Sequence, residues 1–133
     1  MPAFLFVLLL ARTVGGDPAT LHVTVHHIQV GKGTINVAVF NNKKGFLHTP
    51  VAAQSRRADA ETMEFSFDLA PGDVAVAVYQ DLNGNGKLDA GIFNIPKEPY
   101  GFSNNYRPSF SAPHYEGCLI RVSGQTASTI NLK

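Results

Sequence analysis

A chain of 133 residues with 44% hydrophobic and 16% charged residues fits one globular domain with a single core and argues against a disordered tail. Eleven Lys and Arg against ten Asp and Glu leave a formal charge of +1 with no basic stripe. Nucleic acid is therefore not expected as a partner, because phosphate contacts need concentrated cations. The single cysteine, Cys118, rules out an intramolecular disulfide and reads as a small buried hydrophobe.

Residues 1–16 read as a signal peptide. The apolar run up to Ala11 is too short to span a bilayer as a helix, and Val14-Gly15-Gly16 offers small residues for cleavage before Asp17. A buried first strand is the alternative. The chain is accordingly expected to be exported, periplasmic or extracellular, with no membrane span left after cleavage and one domain over residues 17–133.

Period-two alternation then dominates. Leu21, Val23, Val25 and His27 would share one face of a first strand, with His22, Thr24 and His26 on the other. His22 and His26 would have Cα atoms about 13 Å apart, too far to share a metal, so they read as solvent-facing. Gly31-Lys32-Gly33 predicts a turn into a second strand, Thr34 to Phe40, paired with the first as a hairpin. Residues 50–57 suit a short helix or an edge strand. Thr62 to Leu69 alternates again with Met63, Phe65, Phe67 and Leu69 inward, and Pro71-Gly72-Asp73 is a turn. Val74 to Gln80 is nearly continuous apolar, as a central strand buried on both sides would be. Residues 118–123 and 126–132 would close the chain as a last hairpin around Gly124-Gln125. Six strands without a usable helix predict an all-β fold, a single antiparallel β-sandwich.

The segment between Gln80 and Cys118 breaks this pattern: it carries Pro96, Pro99, Pro108 and Pro113 and no clear strand. Insertions of that kind are functional or held by something. Its start, Asp81-Leu82-Asn83-Gly84-Asn85-Gly86-Lys87-Leu88-Asp89, spaces oxygen donors as a calcium loop does. Asp81, Asn83 and Asn85 would supply side-chain oxygens, Lys87 its carbonyl and Asp89 a carboxylate. Ile92 stands where the closing bidentate carboxylate belongs, and Glu98 is the candidate to replace it. Such a set predicts modest calcium affinity. The same residues also suit a metal-free turn, since Asn-Gly and Asp need no ion to bend a chain.

Tyr100, Phe102, Tyr106, Phe110 and Tyr115 make the insertion aromatic. They suit a satellite core under the loop, with Ser103, Asn104 and Asn105 left as exposed polar groups. Tyr100, Phe102, Ser103, Asn104 and Asn105 would form a recognition surface for an envelope polymer or protein. Glu98, His114, Ser103 and Ser109 carry no catalytic motif, so no enzymatic activity is expected.

From about Leu21 to Lys133 the chain resembles the bacterial exported family called domain of unknown function 2141. The residues that carry the resemblance are Leu69 to Val76, Asp81 to Asp89, and Gly91-Ile92-Phe93-Asn94-Ile95-Pro96-Lys97-Glu98-Pro99-Tyr100-Gly101-Phe102-Ser103-Asn104-Asn105, with Ser109-Phe110 and Ala112-Pro113 downstream. Asn94 stands where that family usually has glycine, and Val74 where it commonly has tyrosine. The resemblance implies an exported, helix-poor β-sandwich of transthyretin-like or immunoglobulin-like type and implies no activity. The expected protein is thus a non-enzymatic exported domain with a calcium-ordered loop. A metal-free structural module of the envelope and a hydrolase on a β scaffold are the alternatives.

Overall fold

The computed structural model describes residues 18–82, 98–108 and 112–133. The expected signal peptide lies outside the described residues, as do Asn83, Asn85, Lys87, Asp89, Ser109 and Phe110. Eight strands are present among the described residues: β1 (Ala19–His26), β2 (Thr34–Phe40), β3 (Ala52–Arg57), β4 (Met63–Leu69), β5 (Gly72–Asp81), β6 (Tyr100–Phe102), β7 (Ile120–Val122) and β8 (Gln125–Asn131). Two short 3-10 turns, Ser103–Asn105 and Tyr115–Cys118, complete the fold. No helix of the described residues is long and apolar enough to cross a membrane.

The fold is all-β, and its strands form two sheets. One has the order β4-β1-β8 and the other β3-β2-β5-β6, with β7 also paired to β5. Alternation explains the facing sides. Leu21, Val23 and Val25 of β1 and Met63, Phe65 and Phe67 of β4 meet Ile35, Val37 and Val39 of β2 and Val74, Val76 and Val78 of β5 in one core. Each such side chain contributes about 1.5–3 kcal/mol by leaving water. The opposite face of the second sheet is covered as well. Ala38, Phe40, Ala75, Ala77 and Tyr79 pack there against Phe46, Phe102 and Cys118, with Tyr100, Tyr106 and Tyr115 half-buried beside them. This second layer explains why β5 is buried from Val74 to Asp81 whichever way its side chains point.

Strand partners depart from the sequence expectation in three places. β1 and β2 do not form a hairpin: His27 adopts a left-handed backbone (φ 69°) and the following residues cross from one sheet to the other. The buried Gln80 side chain anchors that crossing, accepting from the Gln29 N–H at 3.0 Å and donating to the Gln29 and Lys32 carbonyls at 2.7 Å each. Nor do the last two strands form a hairpin, since β7 joins β5 while β8 joins β1. The β1–β8 pairing is parallel, so the sandwich is mixed rather than wholly antiparallel. Closing the sandwich decides this: β1 needs a second neighbour, and the strand arriving from β7 reaches it only in that direction.

Polar side chains protect an edge. Gln54 Nε2 donates to the Ser66 carbonyl at 2.6 Å, and Arg56 Nη1 to the Glu64 carbonyl at 2.9 Å. Both reach from β3 across the sandwich to the outer rim of β4, capping carbonyls that another strand would otherwise seek. On the outer face of the first sheet, His22 contacts Ser66 Oγ at 3.0 Å and Gln125 Oε1 at 2.7 Å, and His26 contacts Thr62 Oγ1 at 2.9 Å. These histidines belong to a hydrogen-bonded sheet surface.

Candidate functional site

The sheet brings two acids together at the root of segment 83–97. In the β5–β6 ladder Ala77 faces Phe102 and Tyr79 faces Tyr100, and the Gln80 N–H donates to the Pro99 carbonyl at 2.9 Å. One further step of the same spacing puts Glu98 level with Asp81. Both are buried, at 4% and 2% exposure, although acidic side chains rarely are. Glu98 Oε2 accepts the Leu82 N–H at 3.0 Å, so its carboxylate closes over the first residue beyond β5. Gly33, in the turn just before β2, presses on the same spot. A Cβ there would lie 1.9 Å from the Asp81 carbonyl oxygen, and its φ of +65° also favours glycine.

Of the proposed calcium donors, Asp81 and Glu98 are therefore adjacent, and the other four lie outside the described residues. Among the described residues no group of three or more His, Cys, Asp or Glu gathers as a metal site would require.

The residues expected to form a recognition surface divide by depth. Tyr100 is half-buried, Phe102 is inside the second layer, and Asn104 and Asn105 are exposed. Ser103 corrects the expectation of an exposed hydroxyl, since it is fully buried. β6 and β7 both lie along β5 but leave a gap opposite Val76. There the Val76 N–H donates to Ser103 Oγ at 2.9 Å, and Ser103 Oγ donates to the Cys118 carbonyl at 2.5 Å. The hydroxyl thus replaces a missing strand, because a buried N–H must find a partner. Asn104 Nδ2 donates to the Leu119 carbonyl at 2.9 Å, while Asn105 Oδ1 accepts the Asn131 N–H at 2.9 Å. These amides fasten the turn to the ends of the domain.

A feature the sequence does not announce lies beside them. Tyr100 and Lys133 exchange backbone hydrogen bonds at 3.1 and 3.3 Å, and the Leu132 N–H donates to the His26 carbonyl at 3.1 Å, so the end of β8 bridges the two sheets. Arg107 Nη2 donates to the Tyr100 carbonyl at 2.5 Å, with its guanidinium carbon 4.6 Å from the Tyr100 ring centroid. A cleft of about 570 Å³ opens here. His27, which alternation assigns to the inner face, is turned outward onto its rim by the left-handed kink.

Cys118 is fully buried, and burial pushes its thiol up to about 12, so it is a packing residue and a poor nucleophile.

A family model described as an uncharacterized protein conserved in bacteria (DUF2141) matches residues 23–131. The chain belongs to that family. The match runs from β1 through the last strand and takes in both Asp81 and Glu98. No curated protein and no solved structure matches the chain.

Proposed function

We propose that this member of the DUF2141 family is an exported, non-enzymatic domain of transthyretin-like or immunoglobulin-like type whose 81–98 segment is ordered by calcium. Asp81, Asn83, Asn85, the Lys87 carbonyl and Asp89 form the ligand set, and Glu98 supplies the carboxylate missing at Ile92. The observation that carries the reading is the juxtaposition of Asp81 and Glu98. Each end of a loop with calcium-type spacing carries a buried acid, and the Glu98 carboxylate reaches back to the Leu82 N–H beside Asp81, which supports a calcium shell drawn from both ends. The ordered segment leads directly into β6, and so fixes the start of a recognition surface at Tyr100, Asn104 and Asn105 for an envelope polymer or protein.

Thermal unfolding of the purified protein in chelator and over a calcium series tests this. At a hundredfold excess over the dissociation constant, a ligand of the native state adds about 2.7 kcal/mol, which raises Tm by roughly 10 °C for a domain of this size. Coincident curves up to about 10 mM calcium, well beyond the weak extracellular range, would leave a metal-free turn as the explanation of the motif.

A further inference from the structure

We propose that the cleft at the junction of the two sheets, lined by His27, Asn105, Arg107, Asn131 and Lys133, binds a small organic anion through a carboxylate or phosphate group. No described side chain that lines it is acidic, while Arg107 and Lys133 supply cationic side chains and His27 and Asn105 donor groups from three separate stretches of chain. Convergence of that kind gathers cationic and donor groups around one concave space, an arrangement that favours an anion.

Arg107 is held in place. Its bond to the Tyr100 carbonyl and its stacking on the Tyr100 ring fix the plane of the guanidinium. One of five donors is used there, and the remaining fork suits the paired oxygens of a carboxylate or phosphate. An arginine already ordered loses little entropy on binding. Asn105 is fixed too: its Oδ1 accepts the Asn131 N–H, which leaves the amide nitrogen as a donor. The volume of about 570 Å³ lies in the range of small-molecule sites and exceeds what an inorganic ion would fill. The ligand is therefore an organic acid or phosphate ester rather than a bare inorganic ion. None of these residues belongs to the proposed calcium shell, but Asn105 also lies in the proposed recognition surface, so titration in calcium and in chelator separates the two readings.

The test is a titration of isotope-labelled protein followed by NMR at the Arg107 Nε–H and the amides of His27, Asn105, Asn131 and Lys133. The probes are citrate and glucose 6-phosphate, each at constant ionic strength against chloride, in calcium and in chelator. Saturable shifts at these positions are expected, weakened about tenfold or more by Arg107→Gln and severalfold by Lys133→Gln. Arg107 also supports the Tyr100 carbonyl, so the exposed Lys133 provides the variant that leaves the fold intact. Saturation by citrate alone assigns a carboxylate site, and by glucose 6-phosphate alone a phosphate site. Shifts that match those of chloride, or wild-type affinity retained in both variants, would overturn the proposal.

Discussion

Ser103→Ala isolates the device that closes the second sheet. The substitution removes one oxygen and leaves almost no cavity, so its cost comes from hydrogen bonding alone. Two buried backbone groups lose their partner: the Val76 N–H, which donates to Ser103 Oγ at 2.9 Å, and the Cys118 carbonyl, which accepts from it at 2.5 Å. Each buried group left unsatisfied costs about 1–3 kcal/mol, and the two share one hydroxyl, so the sum is about 2–4 kcal/mol. For a domain of this size that lowers Tm by roughly 8–16 °C. Urea unfolding followed by circular dichroism measures it, with the midpoint falling and the slope unchanged, since the surface exposed on unfolding stays the same. If Ser103 instead faced a ligand, alanine would change stability by less than about 0.5 kcal/mol. A shift that small would refute the assignment of this hydroxyl as a substitute strand.

Three other expectations follow from named contacts. Gly33→Ala drives a methyl into the Asp81 carbonyl and strains a positive φ, so it should cost about 3 kcal/mol or more in thermal unfolding. Arg56→Ala removes the cap on the Glu64 carbonyl and the guanidinium 4.3 Å from the Phe65 ring centroid, and should lower stability by about 1–2 kcal/mol in the same assay. Cys118 should resist iodoacetamide in the folded protein and react at once in denaturant. Its folded-state pKa, raised from 9.0 to about 12, makes the stabilising contribution complete below pH 9 and lost as pH rises toward 12, so the Cys118→Ala protein should show a flatter decline of stability across that window.

Side-chain alternation made much of this architecture legible. The inward residues of β1 and β4 and the double burial of β5 follow from period-two patterning, because each side of a strand meets a different medium. Partner choice did not follow. Gly31 and Gly33 announce a change of direction but are silent on whether β2 returns beside β1 or crosses to another sheet. The parallel β1–β8 pairing is set by closure of the sandwich, a property of the whole chain. β6 is three residues long with a glycine at its centre, too short for any periodicity. At the candidate site, loop spacing singled out Asp81 and Glu98, which the β5–β6 ladder brings level at the root of segment 83–97. Ser103 was not legible, since a serine before two asparagines reads as a surface turn, and only the gap between β6 and β7 explains its burial. Gln80 carried a signal in being the polar end of an apolar strand. Arg107 carried none: its meaning depends on the ring and carbonyl of Tyr100, which the fold alone supplies.

Direct calcium binding decides the central claim. Isothermal titration of the wild-type protein should give saturable uptake of one calcium per chain in the sub-millimolar to millimolar range, weakened about tenfold or more in Asp81→Asn and Glu98→Gln. Absence of saturable uptake up to about 10 mM, or uptake equal in wild type and both variants, would contradict a calcium shell built from the two ends of this loop.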